Sequence, residues 1–263
     1  MNINPTISVV CPFHRNEKTI VRAAQSIFAQ TVLPSEVIFI NDGSPDNSLE
    51  AISDYLSIIP RICLIELISI DHSGPGHARN IGISKCSSTW VAFLDADDFW
   101  FPNKLEEVLK VIRSNPNANF VANEEFSYSP FTGLINANLS SYFNKSLPIP
   151  NQLYLRNFFS TSSCTVLNEL VSRYLFDPFL SSCQDYELWL ALSPEIIVEY
   201  IPIPLAIYDK SIKTSITNSF PLNRFRNLMI VLFRYSKYVS FPRFCMIISK
   251  HFVALVLSSL GRF

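Results

Sequence analysis

The sequence lacks the cysteine patterns of zinc sites and of disulfide-bonded secreted domains. Its six cysteines are scattered, with no CxxC pair and no cluster of cysteine and histidine at zinc-binding spacing. The N-terminus also lacks the basic region and the long apolar core of a signal peptide. We therefore predict a cytoplasmic protein with reduced cysteines, most of which act as small apolar side chains.

Motifs of several common enzyme classes are absent as well. The chain has no Gx4GK[ST] phosphate loop, no GxSxG elbow and no HExxH motif, which excludes P-loop proteins, serine hydrolases of that type and zincins. The four histidines form no pair at the sequence spacing of a metal site or a catalytic triad. In GPGHARN, Arg79 stands where a dinucleotide-binding fingerprint needs its third glycine, so this segment indicates a turn that opens a helix. Arg79 is then either a contact to a nucleotide or a solvated surface residue.

Aspartate and glutamate are missing from the last part of the chain. After Asp209 the sequence has nine lysines and arginines and no acidic residue, so residues 1–209 hold 12 basic and all 22 acidic residues. We predict an acidic main domain over 1–209 and a basic, apolar helical extension over 210–263. Lys250 and His251 interrupt its longest apolar run. Two alternatives stay open: its amphipathic helices pack on the domain, or they lie on an anionic membrane surface.

Strand-like and helical patterns alternate along the first half of the chain. The predicted strands cover 7–11, 36–42, 62–68, 90–95 and 119–126, and the predicted helices cover 17–30, 46–57, 78–86 and 102–113. This alternation predicts an α/β fold with a Rossmann-like, mostly parallel sheet between flanking helices. We predict loops and short irregular pieces over 127–180, a helix over 181–192 and two short strands within 195–209.

Polar clusters follow three of the predicted strands, and they indicate a site. The clusters are PFHRNE, NDGSPD and LDADDFW. In parallel sheets, ligands bind in the crevice beyond the carboxyl ends of the strands. We therefore expect these three clusters to lie around one crevice.

The segment LDADD contains Asp95, Asp97 and Asp98. Three acids exceed what a helix cap needs, so we favour a Mg²⁺ site completed by substrate phosphates, although a capping turn stays an alternative. Asp42 ends a neighbouring strand, and its carboxylate can accept a hydrogen bond from a pyrimidine base. Asp185 in QDYELW fits either a general base or a solvated helix face, and its spacing cannot separate these alternatives.

Taken in order, five segments resemble the family-2 glycosyltransferases of the GT-A fold over about residues 5–192. The segments are ISVVCPFHRNE, EVIFINDGSPD, GPGHARNIGI, VAFLDADDFW and QDYELW. The resemblance implies inverting transfer from a nucleotide-diphosphate sugar, most often a UDP-sugar, with Mg²⁺ or Mn²⁺ as cofactor. It also implies a glycan or lipid-linked acceptor in surface polysaccharide synthesis, and it makes 1–209 the catalytic and nucleotide-sugar-binding domain.

The resemblance assigns roles to particular residues. Those that would bind the nucleotide sugar are Pro12, Glu17, Asp42, Arg79, Asp95 and Asp97. Asp97 would also hold the metal, with Asp98 assisting, and Asp185 would be the catalytic base. The sequence departs from the family at Gln184, where glutamate is usual, and at His14 and Arg15, which replace a Tyr-Asn pair. Neither departure removes a residue that the chemistry requires.

Three other functions are weighed against this one. A haloacid-dehalogenase-type phosphatase carries its DxD motif on the first strand, whereas here it follows the fourth. A sugar nucleotidyltransferase needs a glycine- and lysine-rich N-terminal loop, which PFHRNE is not. A catalytically silent sugar-nucleotide-binding protein of the same fold remains the main alternative, although the presence of both Asp97 and Asp185 favours an enzyme. We expect no nucleic-acid partner.

Overall fold

A computed structural model of the protein describes residues 4–60, 62–211 and 221–259. The strands are β1 (Ile7–Phe13), β2 (Glu36–Asp42), β3 (Leu64–Ile70), β4 (Trp90–Phe93), β5 (Phe99–Trp100), β6 (Phe120–Ser129), β7 (Gly133–Asn136), β8 (Cys164–Leu167) and β9 (Val198–Asp209). The helices are α1 (Ile20–Phe28), α2 (Ser48–Ile58), α3 (Pro75–Lys85), α4 (Lys104–Ser114), α5 (Ile149–Leu155), α6 (Asn168–Tyr174), α7 (Gln184–Leu192), α8 (Pro221–Arg234) and α9 (Phe241–Ser259).

These strands form one sheet in the order β3-β2-β1-β4-β8-β6-β9-β5, with β7 paired to β6. The half made of β3, β2, β1 and β4 is parallel, as the alternation of strands and helices predicted. Strands β1 and β2 are buried along their whole length, because helices cover both faces. Strand β3 is the edge of the sheet and alternates between exposed and partly buried residues.

The other half of the sheet contains strands that the sequence pattern did not reveal. Strand β8 pairs antiparallel with both β4 and β6, although residues 127–180 were predicted to be irregular. That prediction was wrong, because the elements in this segment are too short to show a period. The region 195–209 forms one strand, β9, instead of two. Its prolines, Pro202 and Pro204, lie where the pairing of β9 with β6 shifts register.

Two apolar cores cover the two faces of the sheet. One contains buried residues of α1, α2 and α4. The other contains residues of α3, α5, α6 and α7, and its largest buried side chain is Trp189. The ring of Trp189 lies edge-on to Phe120, with centroids 5.1 Å apart, and its indole N–H donates to the Phe159 carbonyl at 3.0 Å. Helix α7, which begins with Gln184 and Asp185, is therefore fixed by its buried face.

The C-terminal helices α8 and α9 pack on this second core with one face. Val231, Leu232 and Ile247 are buried in it, and the Tyr154 hydroxyl donates to the Leu232 carbonyl at 2.7 Å. Among the helices of the described residues, none combines the length and the hydropathy that a membrane span requires. Residues 212–220 and 260–263 of the predicted extension lie outside the described residues, and the division of the chain after Asp209 into two domains stays a prediction.

Helix α3 crosses the parallel strands at Gly82, where side chains leave no room for a methyl group. A Cβ atom at this position would lie 2.5 Å from Cγ1 of Val10 and 2.8 Å from Cδ1 of Ile40. We expect Gly82→Ala to lower the free energy of unfolding by about 1–3 kcal/mol, the usual cost of overpacking a core. Denaturant unfolding beside Ser84→Ala, an exposed position of the same helix, measures the difference. Equal stability of the two variants would contradict this contact.

Candidate active site

A cavity of about 860 Å³ lies beyond the carboxyl ends of the parallel strands. The sequence clusters after β1, β2 and β4 all contribute to its lining, as expected. The predicted site residues that line it are Pro12, Asp42, Arg79, Asp95, Asp97, Asp98 and Asp185. Glu17 is placed differently from the prediction. It is exposed in the loop after β1, where its carboxylate accepts a hydrogen bond from the N–H of Asn47 at 3.3 Å.

The turn that follows β4 is anchored from two other elements. Arg79 of α3 donates a hydrogen bond to the carboxylate of Asp95. Arg22 of α1 donates to the backbone carbonyl of Asp97 at 2.6 Å and pairs with the carboxylate of Asp209 at 2.8 Å. Both arginines thus bind groups of this turn or of the end of β9. They place positive charge beside the carboxylates of Asp95 and Asp209.

Asp98 is held by the protein on both carboxylate oxygens. One oxygen accepts from the Ser162 hydroxyl at 2.6 Å and the other from the N–H of Asp209 at 3.1 Å. Burial, together with the charges of Asp97 and Asp95, raises the pKa of Asp98 well above its ordinary value. These contacts fit a residue that fixes the turn, and they leave its predicted assistance in metal binding without direct support.

Asp97 has the surroundings that a cation would stabilise. Among the described residues, no other residue donates a hydrogen bond to its carboxylate. Burial, followed by the charge of Asp95, raises the pKa of Asp97 to about 6. A carboxylate that is desolvated, repelled by a neighbour and unpaired gains most from a divalent cation. The position of Asp97 therefore fits a Mg²⁺ or Mn²⁺ ligand.

Asp185 lies in the first turn of α7, facing the cavity. The side-chain amide of Asn157 donates to its carboxylate at 3.1 Å. Burial raises the pKa of Asp185, although the N–H of Tyr186, the charge of Arg79 and the contact with Asn157 oppose this increase. The residue before the helix, Cys183, has a φ of +63°, a backbone conformation that residues other than glycine rarely adopt. A carboxylate with a raised pKa inside a cavity can act as a general base.

The uncharged segment 157–163 donates hydrogen bonds to several carboxylates of the cavity, and no pattern in the sequence indicated this role. Asn157 contacts Asp185, the Ser160 hydroxyl donates to Glu125, and the Ser162 hydroxyl donates to Asp98. Ser162 also accepts the N–H of Asp95 at 3.1 Å. The segment lies between α5 and β8, in the region predicted to be irregular. Its polar groups carry no charge and no period, so only the structure identifies their role.

At the other end of the cavity, Asp42 is surrounded by hydrogen-bond donors. Its carboxylate accepts the N–H groups of Ser73 at 2.7 Å and Gly74 at 2.9 Å. Nδ1 of His72 lies 2.9 Å from the same carboxylate, and the His72 ring stacks on His14 with centroids 4.1 Å apart. Ligand atoms of His14, Asp42 and His72 all lie within 4.8 Å of one another and could hold a metal ion. The sequence spacing of the histidines did not indicate this arrangement, because the strands bring together residues that are distant in sequence.

Comparison of amino-acid sequences identifies a family and several similar proteins. The family model described as glycosyl transferase family 2 matches residues 8–173. The UDP-Glc:alpha-D-GlcNAc-diphosphoundecaprenol beta-1,3-glucosyltransferase WfgD of Escherichia coli is 26% identical over 187 residues, covering 71% of this chain and 69% of that protein. The chain spans between 16% and 58% of the length of four similar Rickettsia proteins, each named an uncharacterized glycosyltransferase.

Solved structures share the fold. S. aureus TarS 1-349 in complex with UDP-GlcNAc aligns with a TM-score of 0.70 and 16% identity, covering 96% of this chain and 73% of that chain. The mannosyltransferase PcManGT of Pyrobaculum calidifontis, in complex with GDP-Man and Mn2+, aligns with a TM-score of 0.67 and 16% identity, covering 97% and 70%. The likeness confirms the predicted α/β fold of the GT-A type.

Proposed function

The chain belongs to glycosyl transferase family 2, and we propose that it transfers a sugar, with inversion, from a nucleotide-diphosphate donor to a hydroxyl group. The proposed donor is a UDP-sugar with a hexosyl or N-acetylhexosaminyl group. The proposed acceptor is a glycan or lipid-linked sugar of surface polysaccharide synthesis. One observation carries the proposal: the carboxylates of Asp97 and Asp185 line the same cavity, and no other described residue donates a hydrogen bond to that of Asp97.

The chemistry follows from these two carboxylates. Asp185 would take the proton of the acceptor hydroxyl while that oxygen bonds to the anomeric carbon of the donor sugar. The bond from the anomeric carbon to the diphosphate breaks, and its electron pair leaves with the nucleoside diphosphate. Attack from the face opposite the leaving group inverts the anomeric configuration. Asp97 would hold the divalent cation, which when bound neutralises charge on the diphosphate.

The other predicted residues would bind the donor. Asp42 lies in a pocket that could take a nucleobase, and Arg79 would keep Asp95 in position beside the ribose or the sugar. A UDP-sugar donor and a lipid-linked acceptor are supported by the name of the E. coli relative, and a UDP-sugar also by the TarS complex with UDP-GlcNAc. The mannosyltransferase complex with Mn2+ supports a divalent metal.

Removal of the metal tests the proposal directly. We expect calorimetric binding of UDP in the presence of Mn²⁺, little binding after EDTA, and weaker binding of GDP and dTDP. Binding of UDP that EDTA leaves unchanged would contradict the metal site. Binding of a UDP-sugar without transfer to any GlcNAc-diphospholipid or glycan acceptor would instead favour the catalytically silent sugar-nucleotide-binding protein.

We also propose that the C-terminal helices rest on an anionic membrane surface at its cytoplasmic side. Four exposed residues of α9 (Arg243, Met246, Lys250 and Val253) lie at helical spacing on one face. The chain after Asp209 has basic but no acidic residues. Apolar side chains flanked by lysine and arginine suit the boundary between lipid headgroups and acyl chains. This contact would bring the cavity near a lipid-linked acceptor.

Sedimentation with lipid vesicles tests this surface. We expect the protein to sediment with phosphatidylglycerol vesicles but not with phosphatidylcholine vesicles, and the variant Met246→Ser/Val253→Ser to bind less. Leu64→Ser, which removes an exposed apolar side chain from edge strand β3, is the matched control and should bind like the wild type. Equal binding by all three proteins would contradict the proposed surface. A dimer that the wild type and Leu64→Ser form but the α9 variant does not would assign this face to a second copy of the chain.

A further inference from the structure

Glu125 is a buried carboxylate in the cavity that the mechanism above leaves without a role. It lies on β6, is 6% exposed, and lines the same cavity as Asp97 and Asp185. The preceding residue, Glu124, has a different task. Its carboxylate accepts the backbone N–H groups of Leu139 and Ser140, both at 3.0 Å, and so holds the turn that follows β7. Of the two adjacent acids, only Glu125 lines the cavity.

The pairing of the sheet is irregular at Glu125. The pairing of β6 with β9 shifts register between Asn123 and Glu124, and again between Glu124 and Glu125. Register shifts of this kind bend a strand locally and re-aim a side chain, and they are frequent beside active sites. Glu125 therefore lines the cavity at the point where the regular pairing of β6 with β9 is interrupted.

The protein leaves part of the Glu125 carboxylate open. The Ser160 hydroxyl donates to Oε2, and no hydrogen-bond donor contacts Oε1 within the described ranges 4–60, 62–211 and 221–259. The buried side-chain nitrogen of Lys104 donates to the side chain of Asn123 and to the carbonyl of Ser163. One carboxylate oxygen thus remains for a ligand in the cavity.

We propose that Glu125 binds a hydroxyl group of a sugar in the cavity and thereby contributes to sugar specificity. Sugars present several hydroxyl donors, and an ionised carboxylate is a strong acceptor with a defined direction. The inference rests on the proposed function, because it needs a sugar beside Asp97 and Asp185. The hydroxyl belongs either to the transferred sugar or to the acceptor, and the experiment below separates these two sources.

Binding is compared for the wild type, Glu125→Gln, Glu125→Ala and the control Glu199→Gln. The control removes a partly exposed carboxylate from the adjacent strand β9, outside the cavity. Burial raises the pKa of Glu125 to about 7, against the hydrogen bond from Ser160 and the charge of Lys104. We therefore choose pH 8, where the carboxylate form predominates. Calorimetry with Mn²⁺ gives the affinities for UDP, UDP-Glc and UDP-GlcNAc.

If the transferred sugar provides the hydroxyl, both Glu125 variants bind the UDP-sugar about 10- to 100-fold more weakly and bind UDP like the wild type. If the acceptor provides it, both affinities stay unchanged and the KM for a GlcNAc-diphospholipid acceptor rises by a similar factor, with kcat retained. The control matches the wild type in every measurement. Glu125→Gln keeps the size of the side chain, so the fold of this variant is expected to be intact.

Two results would overturn the inference. In one, the affinities for the UDP-sugar and for the acceptor are unchanged in both Glu125 variants. In the other, the affinity for UDP falls together with the thermal midpoint of unfolding, which indicates a structural role. A wild-type protein that binds no nucleotide at all would instead overturn the proposed function, and this inference with it.

Discussion

Asp185→Asn is expected to lower kcat for sugar transfer by about 10²–10⁴-fold, the range of a lost general base. The amide has nearly the shape of the carboxylate but cannot take the proton from the hydroxyl group of the acceptor. The affinity for the nucleotide should change little, because the metal and the diphosphate are assigned to Asp97. Steady-state transfer assays and calorimetry on the same preparation measure both quantities.

The pH dependence provides a second test of this residue. Burial raises the pKa of Asp185, so the carboxylate form needed for the base is lost as the pH falls through a value above the ordinary range of aspartate. The acid limb of the kcat profile should therefore lie above about pH 4 in the wild type. Asp54→Asn, at an exposed position of α2, is the matched control and should keep both kcat and the profile. A variant at Asp185 with full activity would remove it from the mechanism.

Asp97→Asn is expected to reduce the Mn²⁺-dependent affinity for UDP by about 100-fold or more, because a cation on the diphosphate contributes several kcal/mol. In EDTA the variant and the wild type should bind alike. Calorimetry with Mn²⁺ and with EDTA separates these contributions, and Asp54→Asn is again the control. Metal-dependent binding that survives in the variant would shift the metal site to other residues, with His14, Asp42 and His72 as the next candidates.

The same variant should not be less stable than the wild type without metal. Burial and Asp95 raise the pKa of Asp97 to about 6 in the folded protein. An acid whose pKa is higher in the folded than in the unfolded state reduces stability once the pH exceeds its unfolded value, so at pH 7 the ionised Asp97 is destabilising. Asp97→Asn should therefore keep or raise the thermal midpoint in EDTA. A lowered midpoint would show that lost affinity reflects damage to the fold.

The sequence by itself determined the parallel half of the sheet and the edge at which the cavity lies. Local patterns in the sequence predict the apolar strands at 7–11, 36–42 and 90–95 and the helices between them. A parallel sheet then brings the carboxyl ends of its strands to one edge. Asp42 and Asp95 therefore reached the same cavity as expected. The order of the motifs also indicated the family, which the match over residues 8–173 confirmed.

Only the tertiary structure decided which of the clustered acids are bound by the protein. Asp97 and Asp98 are adjacent in sequence, yet Ser162 and the backbone N–H of Asp209 donate hydrogen bonds to the carboxylate of Asp98. No other residue in the described part of the chain donates one to the carboxylate of Asp97. These partners come from distant elements, so no local pattern could identify them. The same reason applies to the stacking of His14 on His72 and to the contact of Asn157 with Asp185. Local periodicity encodes strands and helices, whereas the ionisation and the partners of a site depend on contacts between residues that only folding brings together.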